Sequence, residues 1–171
     1  TYTVTPGYGM TWICPSLSSD ESVWTRDIAF AEKQLAANGC KVWCIHLPYG
    51  SATAAHNRDL CAAGADRAAS VAFFTRAIRA VAPLKPKNVL VHCNQPLAFG
   101  DGSSAASLAL SLHELQTGAD EIGAHVCVEN MSYGVGADAA VLAAAVDEAN
   151  ALGSHRYEVR IAFDTGHANL Y

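Results

Sequence analysis

Residues that can bind a metal ion or transfer a proton stand at the ends of four strand-like runs in this sequence. They are His46 in HLPYG, His92 in HCNQP, Glu129 in the pair EN, and Asp164 and His167 in DTGH. Carboxylate oxygens and imidazole nitrogens together suit a divalent ion such as Mn, Co, Mg or Zn, whereas the sequence has no Cys-x-x-Cys pair of the kind found in thiolate zinc sites. The pattern therefore predicts a divalent-metal site with mixed oxygen and nitrogen ligands.

Two of these residues are difficult to explain by structure alone. Glu129 follows the apolar residues 126–128, and Asp164 follows the apolar residues 161–163, so both carboxylates are predicted to be buried. A buried carboxylate requires a cation, a metal ion or a raised pKa. A single histidine, in contrast, is more often a hydrogen-bonded structural residue. The remaining four are assigned to that class: His56, His113, His125 and His155.

Alternating strand and helix patterns must position these groups. Four runs rich in β-branched residues predict strands: Lys41 to Leu47, Asn88 to Asn94, His125 to Met131 and Glu158 to Asp164. Four apolar stripes at helical spacing predict helices: Trp24, Ile28, Ala31 and Leu35 before Gly39; Val71, Phe74, Ile78 and Val81 before Pro83; Leu108, Leu112 and Leu115 after Ser103 and Ser104; Leu142, Ala145, Ala149 and Leu152 between Asp138 and Gly153. This alternation indicates parallel strands joined by right-handed crossovers.

The two faces of the predicted strands differ in polarity. One face is uniformly apolar, with residues such as Ile45, Val89 and Val126, while the opposite face is mixed, small and polar and includes His92 and Glu129. In an open doubly wound sheet helices cover both faces, whereas in a barrel only the outer face meets helices. The sequence therefore predicts a (β/α) barrel of the TIM type.

The length of the chain falls short of a complete barrel. A closed eight-stranded barrel requires about 250 residues, and this sequence has 171. An irregular stretch, Thr1 to Ser16, can hold part of one more strand. We therefore predict a single α/β domain over residues 1–171, a partial TIM barrel of about four to five βα units that lacks the last strands.

Composition argues against several classes of protein. The sequence is 51% hydrophobic and 16% charged, which is typical of a folded globular domain, and no apolar run reaches the roughly 18 residues that cross a bilayer. Eleven Lys and Arg against 16 Asp and Glu give a net charge of −5 without a basic run, which argues against a nucleic-acid partner. The six cysteines are predicted to be reduced, and the cytoplasm is the expected location, since no signal peptide opens the sequence.

Four motifs, HLPYG, VHCN, VCVENMSYG and IAFDTGHANL, lie in this order over roughly Val42 to Leu170. Together they resemble the xylose isomerase-like TIM-barrel superfamily, which contains sugar phosphate isomerases and epimerases and the apurinic endonucleases of the endonuclease IV type. The resemblance implies that Glu129 and Asp164 are metal ligands. It also implies that His167 contacts a substrate oxygen in the sugar enzymes or a second metal ion in the endonucleases.

The other site residues implied by the resemblance are His46, His92 and Asn130. In the sugar enzymes these residues would line the pocket and bind the substrate, whereas in the endonucleases His46 and His92 would bind zinc. The superfamily completes its metal site with a His and a carboxylate from the last two strands, which have no counterpart in this sequence. We therefore expect a missing C-terminal part or a second copy, in a homo-oligomer, to complete the site.

The function implied is that of a divalent-metal-dependent sugar or sugar phosphate isomerase or epimerase. The ion would hold two neighbouring oxygens of a ketose and stabilise an enediolate, while Glu129 takes the proton from carbon and His167 donates to the developing oxyanion. One alternative is an endonuclease IV-like, zinc-dependent apurinic-site phosphodiesterase. The loops that a DNA enzyme would make basic contain no Lys or Arg: 50–57, 95–104 and 132–138. The other alternative is a non-catalytic, degenerate barrel.

Overall fold

The computed structural model describes residues 12–49, 58–93 and 105–169, in which strands and helices alternate. The strands are β1 (Trp12–Ile13), β2 (Lys41–Val42), β3 (Cys44–His46), β4 (Asn88–His92), β5 (His125–Glu129) and β6 (Arg160–Ala162). The helices are α1 (Trp24–Asn38), α2 (Gly64–Ala80), α3 (Ala105–Ile122), α4 (Ala139–Ala151) and α5 (Thr165–Ala168). Within these ranges no helix combines the length and the hydropathy needed to span a membrane.

Strands β3 to β6 form one parallel sheet in chain order. Each strand therefore lies beside the next one along the chain, without the reversal of strand order that marks a doubly wound sheet. This order confirms the predicted fold class, an α/β architecture of the TIM-barrel type that is partial in this chain. The four predicted strands are present and shorter than expected.

The first predicted strand, Lys41 to Leu47, is divided at Trp43. The carbonyl oxygen of Trp43 accepts hydrogen bonds from the backbone N–H groups of Lys87 and Asn88, so it already belongs to the β3–β4 side of the break. On one side of this break β2 pairs with β1, and on the other β3 pairs with β4. Because the ladder changes partner at Trp43, one predicted strand becomes two.

Part of one more strand lies in the N-terminal stretch, as predicted. Ser16 bridges His46 in parallel, the His46 N–H donates to the Pro15 carbonyl at 2.9 Å, and the Leu17 N–H donates to the His46 carbonyl at 2.8 Å. These bonds occupy the outer edge of β3. Residues 1–11 lie outside the described residues, as do His56, Asn94, Ser103 and Ser104.

The apolar core lies between the helices and the outer face of the sheet. The predicted outward residues Ile45, Val89 and Val126 are at most 1% exposed. Helix α1 ends at Asn38 and is capped by Gly39, whose φ of 61° is the left-handed conformation that a glycine adopts without strain. At the other end of the sheet, α4 begins at Asp138, whose side chain accepts hydrogen bonds from two backbone N–H groups of its first turn.

Four residues that were predicted to lie on apolar faces packed against the core are exposed. Trp43 is 53% exposed at the break between β2 and β3. Ile161 and Phe163 are 41% and 68% exposed, because β6 is the edge strand of the sheet and pairs with β5 alone among the described residues. Leu152 is 44% exposed, since it follows the last residue of α4. The six cysteines, all within the described residues, are thiols that form no disulfide, as predicted, and Cys61 and Cys93 are fully buried.

Asp120, near the C-terminal end of α3, anchors the segment that leads into β6. Its carboxylate accepts hydrogen bonds from the backbone N–H groups of Arg156 at 2.9 Å and Tyr157 at 3.1 Å, and from the Gln116 side chain at 2.9 Å. Burial raises the pKa of Asp120, but these bonds and nearby His155 outweigh it and hold the pKa below its usual range.

The three described histidines that were assigned a structural role have structural hydrogen bonds. His155 and His113 share a hydrogen bond between Nε2 and Nδ1 at 2.8 Å, and His155 Nδ1 lies 3.4 Å from Asp120. His125 Nδ1 lies 2.8 Å from the carbonyl oxygen of Glu158 and donates to it. These contacts agree with the structural class predicted for His113, His125 and His155.

Replacing Asp120 with Asn is expected to lower the free energy of unfolding by about 1–3 kcal/mol at pH 7, because one of the two accepting oxygens is lost. A lowered folded-state pKa stabilises the fold above the ordinary aspartate pKa, and this contribution disappears as the pH falls through the folded-state pKa. The difference between wild type and D120N should therefore shrink between pH 7 and about pH 3. Urea unfolding at pH 7 and at about pH 3 measures this difference in the free energy of unfolding. D147N, at an exposed site, is the control. A difference that is the same at both pH values would contradict this assignment.

Candidate active site

The predicted site residues meet at one end of the sheet. His46, His92 and Glu129 are the last residues of β3, β4 and β5, and the carboxyl ends of parallel strands lie together. His92 pairs directly with Glu129 in the ladder, while His46 pairs with Leu90. Since residues two apart on a strand face the same side, all three side chains point to the inner face.

The three side chains place one ligand atom each at the corners of a small triangle. His46 Nε2 lies 3.1 Å from His92 Nε2 and 3.3 Å from Glu129 Oε2, and His92 Nε2 lies 3.2 Å from the same oxygen. The side chains are 18%, 9% and 8% exposed, in the order His46, His92 and Glu129. Three potential ligand atoms therefore converge in a region that water reaches poorly.

The tautomer of His46 directs a lone pair into this triangle. His46 Nδ1 lies 2.8 Å from the carbonyl oxygen of Leu47, so Nδ1 carries the proton and donates it. Metal-binding histidines use their second nitrogen in this way. Nε2 of the neutral ring is then an acceptor that faces a carboxylate oxygen, an arrangement that is repulsive until a cation or a proton lies between them.

The Glu129 carboxylate has the features expected of a metal ligand. Its Oε2 is buried without a hydrogen-bond partner, even though two imidazole nitrogens lie close to it. Ligand atoms at about 2.0–2.2 Å from one ion lie roughly 3.0–3.5 Å from each other, which matches the three edges of 3.1, 3.3 and 3.2 Å. These residues therefore fit a divalent ion.

Electrostatics also keep Glu129 in the form that binds metal. Burial by itself raises the pKa of its carboxyl group, but His46 and His92 donate to it and attract it when their Nε2 atoms carry protons, which outweighs burial and holds the pKa well below its usual range. A metal ion would act in the same direction. Glu129 is thus a carboxylate at neutral pH, although its side chain is buried.

Asp164 and His167 lie on the other side of Glu129. His167 Nδ1 is 3.5 Å from Glu129 Oε1, and the two residues form with Asp164 a second group whose ligand atoms lie within 4.8 Å of one another. Asp164 also begins α5, since its Oδ1 accepts from the N–H groups of Gly166 at 2.6 Å and His167 at 3.0 Å. Glu129 therefore belongs to both groups.

The burial predicted for the two carboxylates holds for one of them. Glu129 is 6% exposed, whereas Asp164 is only partly buried. The prediction for Asp164 was wrong because its apolar predecessors lie on the edge strand β6 or directly after it, where Ile161 and Phe163 are themselves exposed. Asp164 offsets its partial burial through hydrogen bonds at the start of α5.

Asn130 makes contacts that the sequence did not indicate. Its side chain binds the backbone of Asp164 through two hydrogen bonds. Its backbone carbonyl oxygen accepts a hydrogen bond from His167 Nδ1 at 2.8 Å. The substrate contact expected of Asn130 stays a prediction. The signal for its actual contacts is weak, since a sequence does not tell which backbone groups a polar side chain will meet.

Two tyrosines near the site were also missed. The ring of Tyr49 packs 4.1 Å from the His46 ring and 5.1 Å from the His92 ring, between centroids. Its position in HLPYG, three residues after His46, is the signal that could have identified it. Tyr133 lies near Glu129, and burial, with Cys93 and Glu129 nearby, raises its pKa to about 12.

Comparison with protein-family models and with curated proteins gives no match. Solved structures do match. D-allulose 3-epimerase from Methylomonas sp. is 16% identical with a TM-score of 0.74, over 95% of this chain and 55% of that chain. A xylose isomerase domain protein from Planctomyces limnophilus is 16% identical with a TM-score of 0.69, over 95% and 56%. L-ribulose 3-epimerase is 19% identical with a TM-score of 0.66, over 95% and 52%.

These comparisons show the fold. The chain spans little more than half the length of each of the three structures, which agrees with a partial barrel. They confirm the partial TIM-barrel fold that the resemblance implied.

Divalent metal ions are expected to stabilise the protein through Glu129. At a free concentration about 100 times the dissociation constant, Zn²⁺ or Mn²⁺ should raise the free energy of unfolding by about 2.7 kcal/mol. E129Q should lose this increase, because the amide removes the anionic ligand. Thermal unfolding with and without metal measures the stabilisation of wild type and of E129Q. E148Q, at an exposed position, is the matched control. An equal increase in E129Q would exclude Glu129 as a ligand.

Proposed function

We propose that this protein is a divalent-metal-dependent isomerase or epimerase of a sugar or sugar phosphate, which transfers a proton next to a ketose carbonyl. The observation that carries the proposal is the buried Oε2 of Glu129, which has two imidazole nitrogens within 3.3 Å and no hydrogen-bond partner. Similarity of fold to solved sugar epimerases supports the substrate class.

Glu129 and Asp164 would hold the ion, and His46 and His92 are the nitrogen donors nearest to Glu129. When bound, a divalent ion would hold neighbouring oxygens of the ketose and stabilise the negative charge that develops on them. Burial of the ligands favours this, because an electrostatic interaction is stronger where water is excluded.

Glu129 is the residue proposed to take the proton from carbon. Its lowered pKa makes it a good ligand and a weak base, since an efficient base has a pKa near the working pH. A bound sugar that excludes water from the carboxylate raises that pKa. Proton transfer at Glu129 is therefore expected to depend on occupation of the pocket.

His167 is the residue proposed to bind a substrate oxygen. Its Nδ1 donates to the Asn130 carbonyl, which leaves Nε2 as the free nitrogen of the ring. In the neutral ring Nε2 accepts a hydrogen bond, so it would bind a substrate hydroxyl. Donation to an oxyanion, as first expected of His167, requires the imidazolium form.

The second candidate is the zinc-dependent apurinic-site phosphodiesterase. It is favoured by one observation: Glu129 is shared by two groups of potential ligands, which gives donors for more than one ion. The net charge of −5 and the absence of Lys and Arg from the loops at 50–57, 95–104 and 132–138 argue against a DNA substrate. A small-molecule sugar remains the better partner.

The proposal predicts that the metal-loaded protein interconverts a ketose and its epimer or isomer, in a panel that includes D-allulose. H167A should lower kcat by about 10²- to 10⁴-fold, the usual contribution of a positioned proton donor or acceptor. H125A is the matched control, because His125 lies on the same strand as Glu129 at its opposite end.

Metal content and molecular mass in solution separate the alternatives. About one ion per site with turnover of a ketose would support the sugar enzyme, and an oligomer would then support completion of the site by a second copy. More than one zinc ion per chain, together with cleavage of abasic DNA, would contradict the sugar enzyme and support the endonuclease. Bound metal without ketose turnover and without cleavage of abasic DNA would support the non-catalytic barrel.

A further inference from the structure

Asn130 lies where β5 ends and the backbone ladder to β6 runs out. Its own N–H donates to the Ala162 carbonyl at 3.3 Å, the last backbone bond between the two strands. Beyond this point the side-chain amide takes the place of a peptide group: Nδ2 donates to the Asp164 carbonyl at 3.0 Å, and Oδ1 accepts from the Asp164 N–H. Asn130 is 9% exposed.

These bonds close a ring through three residues. The Asn130 side chain holds the backbone of Asp164, Asp164 Oδ1 accepts from the His167 N–H at 3.0 Å, and His167 Nδ1 donates to the Asn130 carbonyl at 2.8 Å. Each residue in this ring contacts the other two. Since Asn130 directly follows Glu129, the ring ties Asp164 and His167 to the strand that carries Glu129.

The ring also determines which atoms remain for a ligand. Asp164 uses Oδ1 at the start of α5, which leaves Oδ2, and His167 uses Nδ1, which leaves Nε2. Fixing the tautomer and orientation of such groups is the function of residues that support metal ligands. No other described residue makes a side-chain hydrogen bond to the backbone of Asp164.

We propose that Asn130 is the positioning residue of the site, which holds Asp164 and His167 in register with Glu129. The inference rests on the proposed function for the presence of a metal ion, and on the hydrogen bonds alone for the positioning. In this role Asn130 acts on the site through Asp164 and His167, without itself contacting the metal ion or the substrate.

The chain contains a matched control for this role. Asn150, in α4, binds the backbone of Val159 by the same pair of bonds: Nδ2 donates to the carbonyl at 3.1 Å, and Oδ1 accepts from the N–H at 2.9 Å. The two asparagines thus hold the two ends of β6, and only Asn130 holds the end that carries Asp164.

The first test compares Co²⁺ binding by N130A and N150A, followed through the visible absorption of the bound ion. Both variants lose the same two hydrogen bonds, so both are expected to unfold at a lower temperature. The dissociation constant should rise by about 10- to 100-fold in N130A, as for other residues that support metal ligands, and stay near the wild-type value in N150A. Equal weakening in both variants, or none in N130A, would overturn the proposal.

The second test needs no metal. In ¹⁵N-resolved NMR spectra of the metal-free protein, His167 should have its proton on Nδ1 in wild type and in N150A, and a mixture of tautomers in N130A. N130D, which keeps the size of the side chain and loses the donor, should behave like N130A. An unchanged His167 tautomer in both variants at position 130 would refute the positioning role. Absence of Co²⁺ binding by wild type would refute only the metal site, because the tautomers still decide the role of Asn130.

Discussion

The parallel register of β3, β4 and β5 is the constraint on which the candidate site depends. His92 and Glu129 are direct partners in the ladder, and His46 is on the same face of the next strand. A slip of one residue would turn a side chain to the opposite face, among the apolar residues that meet the helices. The buried apolar face, with Ile45, Val89 and Val126 nearly inaccessible, opposes that slip. Packing of the outer face therefore sets the geometry of the inner one.

Burial of Glu129 is the main cost of this arrangement. Removing a carboxylate from water is unfavourable unless a positive charge or hydrogen bonds replace the water. Its two imidazole neighbours offset part of the cost and lower the pKa, yet they leave Oε2 without a hydrogen bond. A fold that keeps such a group is expected to be more stable with a cation than without one, which connects the stability of the barrel to the chemistry of its site.

Side chains take over from backbone ladders around β6, the short edge strand. Asn150 binds the backbone on its entry side, Asn130 binds it on its exit side, and Asp120 holds the segment before it. A three-residue strand has few ladder bonds of its own. Because Asp164 and His167 follow this strand directly, the bonds that hold β6 also place two of the five candidate ligands.

The sequence by itself determined helices α1 to α4, the approximate strand positions, the partial barrel and the five candidate residues at the strand ends, since these follow from chain length, local periodicity and residue chemistry. The tertiary structure decided which atoms face one another. It showed the triangle at Glu129, the tautomers of His46 and His167, the partial exposure of Asp164 and the contacts of Asn130. The physical reason is that periodicity is a property of neighbouring residues. Distances between atoms on different strands depend on register and on the path of the crossovers, which no local pattern contains.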